Sequence, residues 1–217
     1  MTDTHAPRAA HIDASAAIDT SADAAAALDA ADPLKSYPAQ FVRSDEVRAY
    51  LDGNSLGRPT TASAARLAEF VEQQWGGRLI RGWDESWYEL PLTLGDRLGA
   101  ATLGAAAGQT FIGDSTTVVL YKLIRAGLSA RPNRSEIVID TGNFPTDRYL
   151  VEGIAAELGK TLRWIDPASD AGVTASEVKA ALNENTALVV VSHVAYRSGH
   201  LADMRGITEL VHDARAL

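Results

Sequence analysis

From Glu136 onward, short β-type runs alternate with helical patterns, and no other feature restricts the possible fold as much. Glu136-Ile137-Val138-Ile139-Asp140 reads as a strand, residues 145–158 as a helix and 161–165 as a strand; residues 176–182 then read as a helix, 187–192 as a strand and 203–216 as a helix. A strand–helix–strand repeat of this spacing closes as a mainly parallel sheet with right-handed crossovers. Val189-Val190-Val191 is continuously apolar, as expected of a strand covered on both faces. The expected fold class is therefore α/β, a mainly parallel sheet flanked by helices. Sheets of this kind bind ligands outside the carboxyl ends of their strands, so the loops following the strands are where chemistry should be sought.

Composition narrows the classes of function. The 217 residues suffice for one good-sized domain with a real core. A hydrophobic content of 46% with 22% charged residues describes a water-soluble globular chain. The formal charge of −8 argues against a nucleic-acid surface and against adhesion to anionic membranes. Without cysteine there is neither a disulfide framework nor a thiolate metal site. The amino terminus has no basic segment followed by an apolar core, and no stretch approaches a transmembrane span. A cytoplasmic enzyme or small-molecule-binding protein is the default expectation.

Ahead of the alternating region, residues 1–22 are rich in Ala, Asp, Ser and Thr and are expected to form a disordered extension. Residues 23–105 are expected to be a largely helical segment, with helices at 24–31, 61–74 and 87–107, the second capped by Thr60. Residues 106–217 then form the sheet domain. Trp75, Trp83, Trp87 and Tyr88 concentrate in the helical segment. Trp75 and Trp87 are expected in a core or domain contact, and Trp83, in a glycine-flanked loop, is the candidate for stacking on a flat ligand.

Several loops carry exposed polar groups. Asp52-Gly53-Asn54-Ser55-Leu56-Gly57 is a tight turn bracketed by glycines. Thr110-Phe111-Ile112-Gly113 reads as a short strand, followed by Asp114-Ser115-Thr116-Thr117 and an apolar helix over 118–128. One hydroxyl is enough to cap a helix; three beside unpaired backbone N–H groups also suit a phosphate. Asn143-Phe144-Pro145-Thr146-Asp147 joins a strand to a helix and offers an aromatic face, a hydroxyl and a carboxylate. A plain helix cap explains the local pattern equally well, since Pro145 suits the first helical position. Ser192-His193-Val194-Ala195-Tyr196-Arg197-Ser198-Gly199 follows the next strand. Strand ends at 113, 140 and 192 are thus expected to meet at one crevice.

Taken in order, Tyr50 to Gly57, Arg81-Gly82-Trp83, Asp114 to Val118, Asn143 to Asp147 and Ser192 to Gly199 resemble the kynureninase family of pyridoxal-phosphate enzymes, whose fold is the aspartate-aminotransferase type (fold type I). The resemblance extends from about residue 28 to the end. It implies that Thr116 and Thr117, with Ser115 beside them, hold the cofactor phosphate. Phe144 would stack on the pyridine ring; Pro145, Thr146 and Asp147 would line the cofactor, Asp147 toward the ring nitrogen; Ser192 would make a further cofactor contact. Asn54, Ser55 and Trp83 fall where the family meets its substrate. The implied whole is a cytoplasmic homodimer of tryptophan catabolism, on the kynurenine route toward NAD, that hydrolyses L-kynurenine or 3-hydroxykynurenine to anthranilate or 3-hydroxyanthranilate and L-alanine.

One departure limits the resemblance. In this family the Schiff-base lysine lies well beyond the Ser192 loop, as do the aspartate paired with the ring nitrogen and the arginine that binds the substrate carboxylate. Lys35, Lys122, Lys160 and Lys179 are the only lysines, and none stands in a matching context. The resemblance thus implies a Schiff-base lysine that lies beyond Leu217. The expectation is an amino-terminal portion that holds no catalytic residue and is inactive alone. Two other classes stay open: another fold-type-I enzyme, such as a cysteine desulfurase or class V aminotransferase, and a non-catalytic chain that binds phosphate compounds or caps a partner.

Overall fold

The computed structural model describes residues 19–217, which fall into two units divided between Tyr88 and Glu89. The extension expected over residues 1–22 lies, through residue 18, outside the described residues. In the first unit, α1 (Ala22–Ala31) is capped by Ser21, whose hydroxyl accepts from the Ala24 N–H. A 3-10 turn follows at Tyr37–Gln40. Thr60 caps α2 (Thr61–Glu69) as expected, and the helix continues into a wider π-helical turn, Phe70–Gly76. Gly82 is the one buried residue among those described in this unit. Its missing side chain leaves room for the Trp87 ring, which packs against Phe70 and Trp83 at centroid distances of 5.5 and 5.8 Å.

Two aromatic expectations are corrected here. Trp75 is 60% exposed rather than part of a core. Trp83 stands in a π-helical turn, Trp83–Trp87, edge-on to Trp87, and not in an open loop.

In the second unit, α3 (Leu90–Thr102) replaces the expected helix over 87–107. Pro91 has no N–H to give and so belongs in the first turn of a helix. Gly104, at φ +63°, follows the last turn. The strand expected over 110–113 is absent: that segment has no regular secondary structure and joins no strand in the sheet. It lies instead along α3, where the Ile112 N–H donates to the Pro91 carbonyl at 3.2 Å. Gly95 and Gly99 permit this approach, because a Cβ at either position would overlap Thr110.

The sheet has three parallel strands in the order β2 (Thr161–Ile165), β1 (Glu136–Asp140), β3 (Thr186–Val190). β3 ends sooner than the expected 187–192, so Ser192 lies just beyond the strand. The helices are α4 (Thr116–Ala130), α5 (Pro145–Leu158), α6 (Ala175–Ala181) and α7 (Met204–Asp213). Each starts or stops on a local signal. Ser115, Thr174 and Asp203 cap α4, α6 and α7, and left-handed Gly159 ends α5. After α7 the chain turns back to the sheet, and Leu217 lies beside β3. Its N–H donates to the Ala187 carbonyl at 3.0 Å, and its carbonyl accepts from the Val189 N–H at 2.8 Å.

β1 is the centre of the core, and its side chains alternate between the two faces. Ile137 and Ile139 pack with Ile124 and Leu128 of α4 and Val151 and Ile154 of α5. Val138 packs on the opposite face with Val178 of α6 and Ile207 and Val211 of α7. The result is two helical layers around a parallel sheet, the α/β class expected. At the amino edge, Arg134 donates to the Thr186 and Ala214 carbonyls, and Lys160 donates to the Arg134 carbonyl. The carboxyl edge is left for the loops.

Candidate functional site

The site is built at the carboxyl ends of β1 and β3. α4 packs on the sheet and its carboxyl end leads into β1, so the helix runs antiparallel to the strands. Its amino terminus therefore lies at the same edge as the loops after Asp140 and Val190, a relation also marked by Leu120, one turn in, which lines one cavity with Val190. At that terminus the Ser115 hydroxyl accepts from the Val118 N–H at 3.4 Å. Thr116 and Thr117 are exposed, and neither hydroxyl bonds to another described residue. Capping thus occupies one hydroxyl of the three. The other two, with the unpaired N–H groups of the first turn and the positive end of the helix dipole, suit an anionic group. A cavity of ≈ 330 Å³ is lined here by Asp114, Ser115, Thr116, Val119 and Leu120, among others.

The turn after β1 is held from below by Asn143, which is 3% exposed. Its Nδ2 donates to Asp140 Oδ2 at 2.9 Å and to the Val190 carbonyl at 3.4 Å. Its Oδ1 accepts from the Phe144 N–H at 2.8 Å and from the Ser192 hydroxyl at 3.2 Å. Asp140 is itself 5% exposed. Burial pushes its carboxyl above the ordinary value, and the Asn143 amide, backbone N–H groups and the Arg148 charge pull in the other direction.

Above this base, Pro145 opens α5 and Phe144 remains 46% exposed. The Phe144 ring meets Tyr196 edge to face, with centroids 5.1 Å apart. Arg197 secures Tyr196 by donating from Nε to its hydroxyl at 2.9 Å and by lying over the ring. The Tyr196 segment is a small closed loop, because Val194 and Leu201 form an antiparallel bridge and the Ala195 N–H donates to the His200 carbonyl at 2.9 Å. Thr146 and Asp147 occupy the first turn of α5, joined by a long 3.5 Å contact between their side chains. Desolvation raises the Asp147 carboxyl above its ordinary value, and the Thr146 hydroxyl opposes that shift.

Phe144, Pro145, Thr146, Asp147 and Ser192 are thus brought together, with Thr116 and Thr117 at the same edge. Asn54, Ser55 and Trp83 belong to the first unit. There, Asn54 and Ser55 sit in a turn closed by the Ser55 and Leu56 N–H groups on the Asp52 carbonyl. Leu217, past which the resemblance puts the Schiff-base lysine, is no part of this edge. Its backbone is bonded to Ala187 and Val189, within β3. The crevice expected from three strand ends forms from two, with a helix amino terminus in place of the third. Asn143, Asp140 and Tyr196 lie within or beside the sequence motifs, yet motif reading assigned them no role. The available signal was positional: Asp140 ends the strand, and Asn143 stands three residues on, within reach of it.

A sheet with this topology and this edge defines a known class. Residues 110–217 match the family model for aminotransferase class-V, and the fold is the fold-type-I architecture of its structural neighbours. Among curated proteins it is similar to kynureninases. It is 38% identical over 195 residues to the kynureninase of Pseudomonas fluorescens, covering 87% of this chain and 45% of that one. It is 42% identical over 193 residues to the kynureninase of Burkholderia pseudomallei (strain 1106a), covering 86% and 44%. The chain spans under half the length of these relatives. The fold also matches two solved structures at 20% identity. One is a C-DES mutant with glycine covalently linked to the PLP cofactor, with a TM-score of 0.58 over 72% of this chain and 41% of that one. The other is the cystine C-S lyase C-DES in complex with cysteine persulfide, with a TM-score of 0.55 over 71% and 40%.

Proposed function

We propose that this chain is the cofactor-cradling portion of a kynureninase, a pyridoxal-phosphate hydrolase that adds water across the Cβ–Cγ bond of L-kynurenine or 3-hydroxykynurenine. The products are anthranilate or 3-hydroxyanthranilate and L-alanine. The carrying observation is the pairing of kynureninase relatives along most of the chain with one sheet edge that offers an anion site, an open aromatic ring and a partly buried carboxylate.

The residues fit a phosphorylated aromatic ligand. Thr116, Thr117 and the first-turn N–H groups of α4 would bind the phosphate. Phe144, steadied by Tyr196, would cover one face of the ring. Asp147, Thr146, Pro145 and Ser192 would complete the wall around the cofactor. When bound, the cofactor supplies an electron sink for the carbanion next to the substrate amine. The carboxylate that holds a proton at the ring nitrogen, and so favours that role, is by the resemblance the aspartate beyond the Ser192 loop. In the same reading, Asn54, Ser55 and Trp83 meet the substrate, and the whole enzyme is a cytoplasmic homodimer.

The covalent lysine is not among the four lysines of this chain. Lys160 lies at the amino edge of the sheet, Lys35 bonds the Ala30 carbonyl, and Lys122 and Lys179 are exposed along α4 and α6. Turnover is therefore proposed for the whole protein and not for these residues alone. Absorbance titration of the chain with pyridoxal 5′-phosphate tests the binding half, and failure to bind would overturn it. Anthranilate fluorescence with L-kynurenine tests the other half, and turnover by the 217-residue chain alone would overturn the placement of the lysine beyond Leu217.

A further inference from the structure

Asn143 is nearly fully buried, and its carboxamide is completely used. A primary amide has two donor hydrogens and an oxygen with two acceptor positions. Here both hydrogens go to acceptors, Asp140 Oδ2 and the Val190 carbonyl, and both acceptor positions are taken, by the Phe144 N–H and the Ser192 hydroxyl. The amide orientation follows from these partners. Reversing it would set the oxygen against two acceptors and the nitrogen against the Phe144 N–H. With the oxygen so placed, it can only accept from Ser192, so Ser192 is the donor in that bond. The serine proton is committed to Asn143, so the hydroxyl can meet a ligand only as an acceptor.

We propose that Asn143 is the positioning residue of this site. It ties the ends of β1 and β3 into one wall, sets the backbone from which Phe144 projects, and makes Ser192 an acceptor for an N–H or O–H of the bound ligand. This rests on the reading that the edge binds pyridoxal phosphate, but the tether itself can be tested without ligand.

The test uses Asn143→Ala, Ser192→Ala and the double variant of the full chain. Amide hydrogen exchange is read first, at Ala195, Gly199 and Ala202, whose N–H groups are bonded within the loop after β3. Loss of a tether of ordinary hydrogen-bond strength should speed exchange there by about fivefold to tenfold. The β1–β2 ladder amides should be unchanged. Should Asn143→Ala fail to fold, Ser192→Ala breaks the same contact from the half-buried side and decides the matter. Unaltered loop exchange in the folded variants would overturn the tether.

Affinity for pyridoxal 5′-phosphate is read second. Each single variant should bind about tenfold more weakly, and the double variant no more weakly than the worse single. A role in stability alone would lower the melting temperature and leave the two affinity losses independent, so additive losses overturn positioning. A parent chain that does not bind pyridoxal phosphate overturns the cofactor reading above, and the exchange result still decides whether Asn143 ties the strand ends.

Discussion

Phe144 and Tyr196 come from loops that follow different strands, yet their rings pack edge to face, with centroids 5.1 Å apart and planes at 72°. The contact holds the Phe144 ring while leaving it 46% exposed. Arg197, over the other ring, keeps Tyr196 in place.

Removing Tyr196 should free Phe144 without disturbing the sheet. An edge-to-face pair contributes about 0.5–1.5 kcal/mol beyond area burial. Tyr196→Ala is therefore expected to weaken pyridoxal-phosphate binding by about threefold to tenfold, with a small change in melting temperature, and Arg197→Ala to do less. Equilibrium dialysis and a thermal melt on the same samples check both. Unchanged affinity in Tyr196→Ala would separate the pair from ligand binding.

Adjacent hydroxyls at the start of α4 should behave differently. Ser115 is the helix cap, and Ser115→Ala is expected to lower stability by about 1 kcal/mol. Neither the Thr116 nor the Thr117 hydroxyl bonds to another described residue. Thr116→Val and Thr117→Val should leave the denaturation midpoint nearly unchanged while weakening binding of pyridoxal phosphate. Binding of pyridoxal, which lacks the phosphate, should hardly respond. Equal losses for both ligands would place the phosphate elsewhere.

Packing of α3 against residues 110–111 depends on small residues. Gly95→Ala would drive a methyl group into the Thr110 carbonyl, and Gly99→Ala into the Thr110 side chain. The first meets backbone, which cannot swing aside, so it should be the more damaging. Overpacking of this kind costs about 1–3 kcal/mol, to be measured by urea denaturation. Wild-type stability in Gly95→Ala would show that the 110–113 segment can move off the helix.

Asp140 gives a pH signature. Its folded-state pKa is raised above the ordinary 3.8, chiefly by burial. The folded protein therefore holds this proton more tightly than the unfolded chain. Its contribution to stability is present below pH 3.8 and declines as pH rises through the folded-state value. Asp140→Asn lacks this ionisation, so the parent should lose stability relative to the variant across the window that opens at pH 3.8 and extends upward. Melting temperatures of both proteins from acid to neutral pH check the sign. A difference that moves the other way would mean that the Asn143 and Arg148 contacts outweigh burial.

Much of the second unit was legible from residue order. The β1 and β2 boundaries and the α5 span follow from apolar runs, Pro145 at the start of a helix and Gly159 at its end. A helix cap among Ser115, Thr116 and Thr117 and the turn at Asn143–Asp147 could be read in the same way, because capping and turn formation are settled within a few residues. Misreadings came where distant segments decide. Thr110–Gly113 has β-type residues, but pairing requires a neighbouring strand, and the glycines of α3 offered a closer surface. Residue type places Trp75 in a core or a domain contact, but burial depends on what packs against it, and its ring is 60% exposed.

Local chemistry written in the sequence thus determined the α/β class, the order of the strands along the chain and the polar loops that follow them. It also supplied the ordered motifs that mark the kynureninase resemblance. Tertiary structure decided which of those loops meet. β1 and β3 are adjacent although α5, β2 and α6 separate them along the chain, and only that adjacency puts Asn143 within reach of Ser192 and Phe144 beside Tyr196. A buried amide and a ring contact are relations between residues about fifty positions apart, so no reading of either neighbourhood alone could contain them.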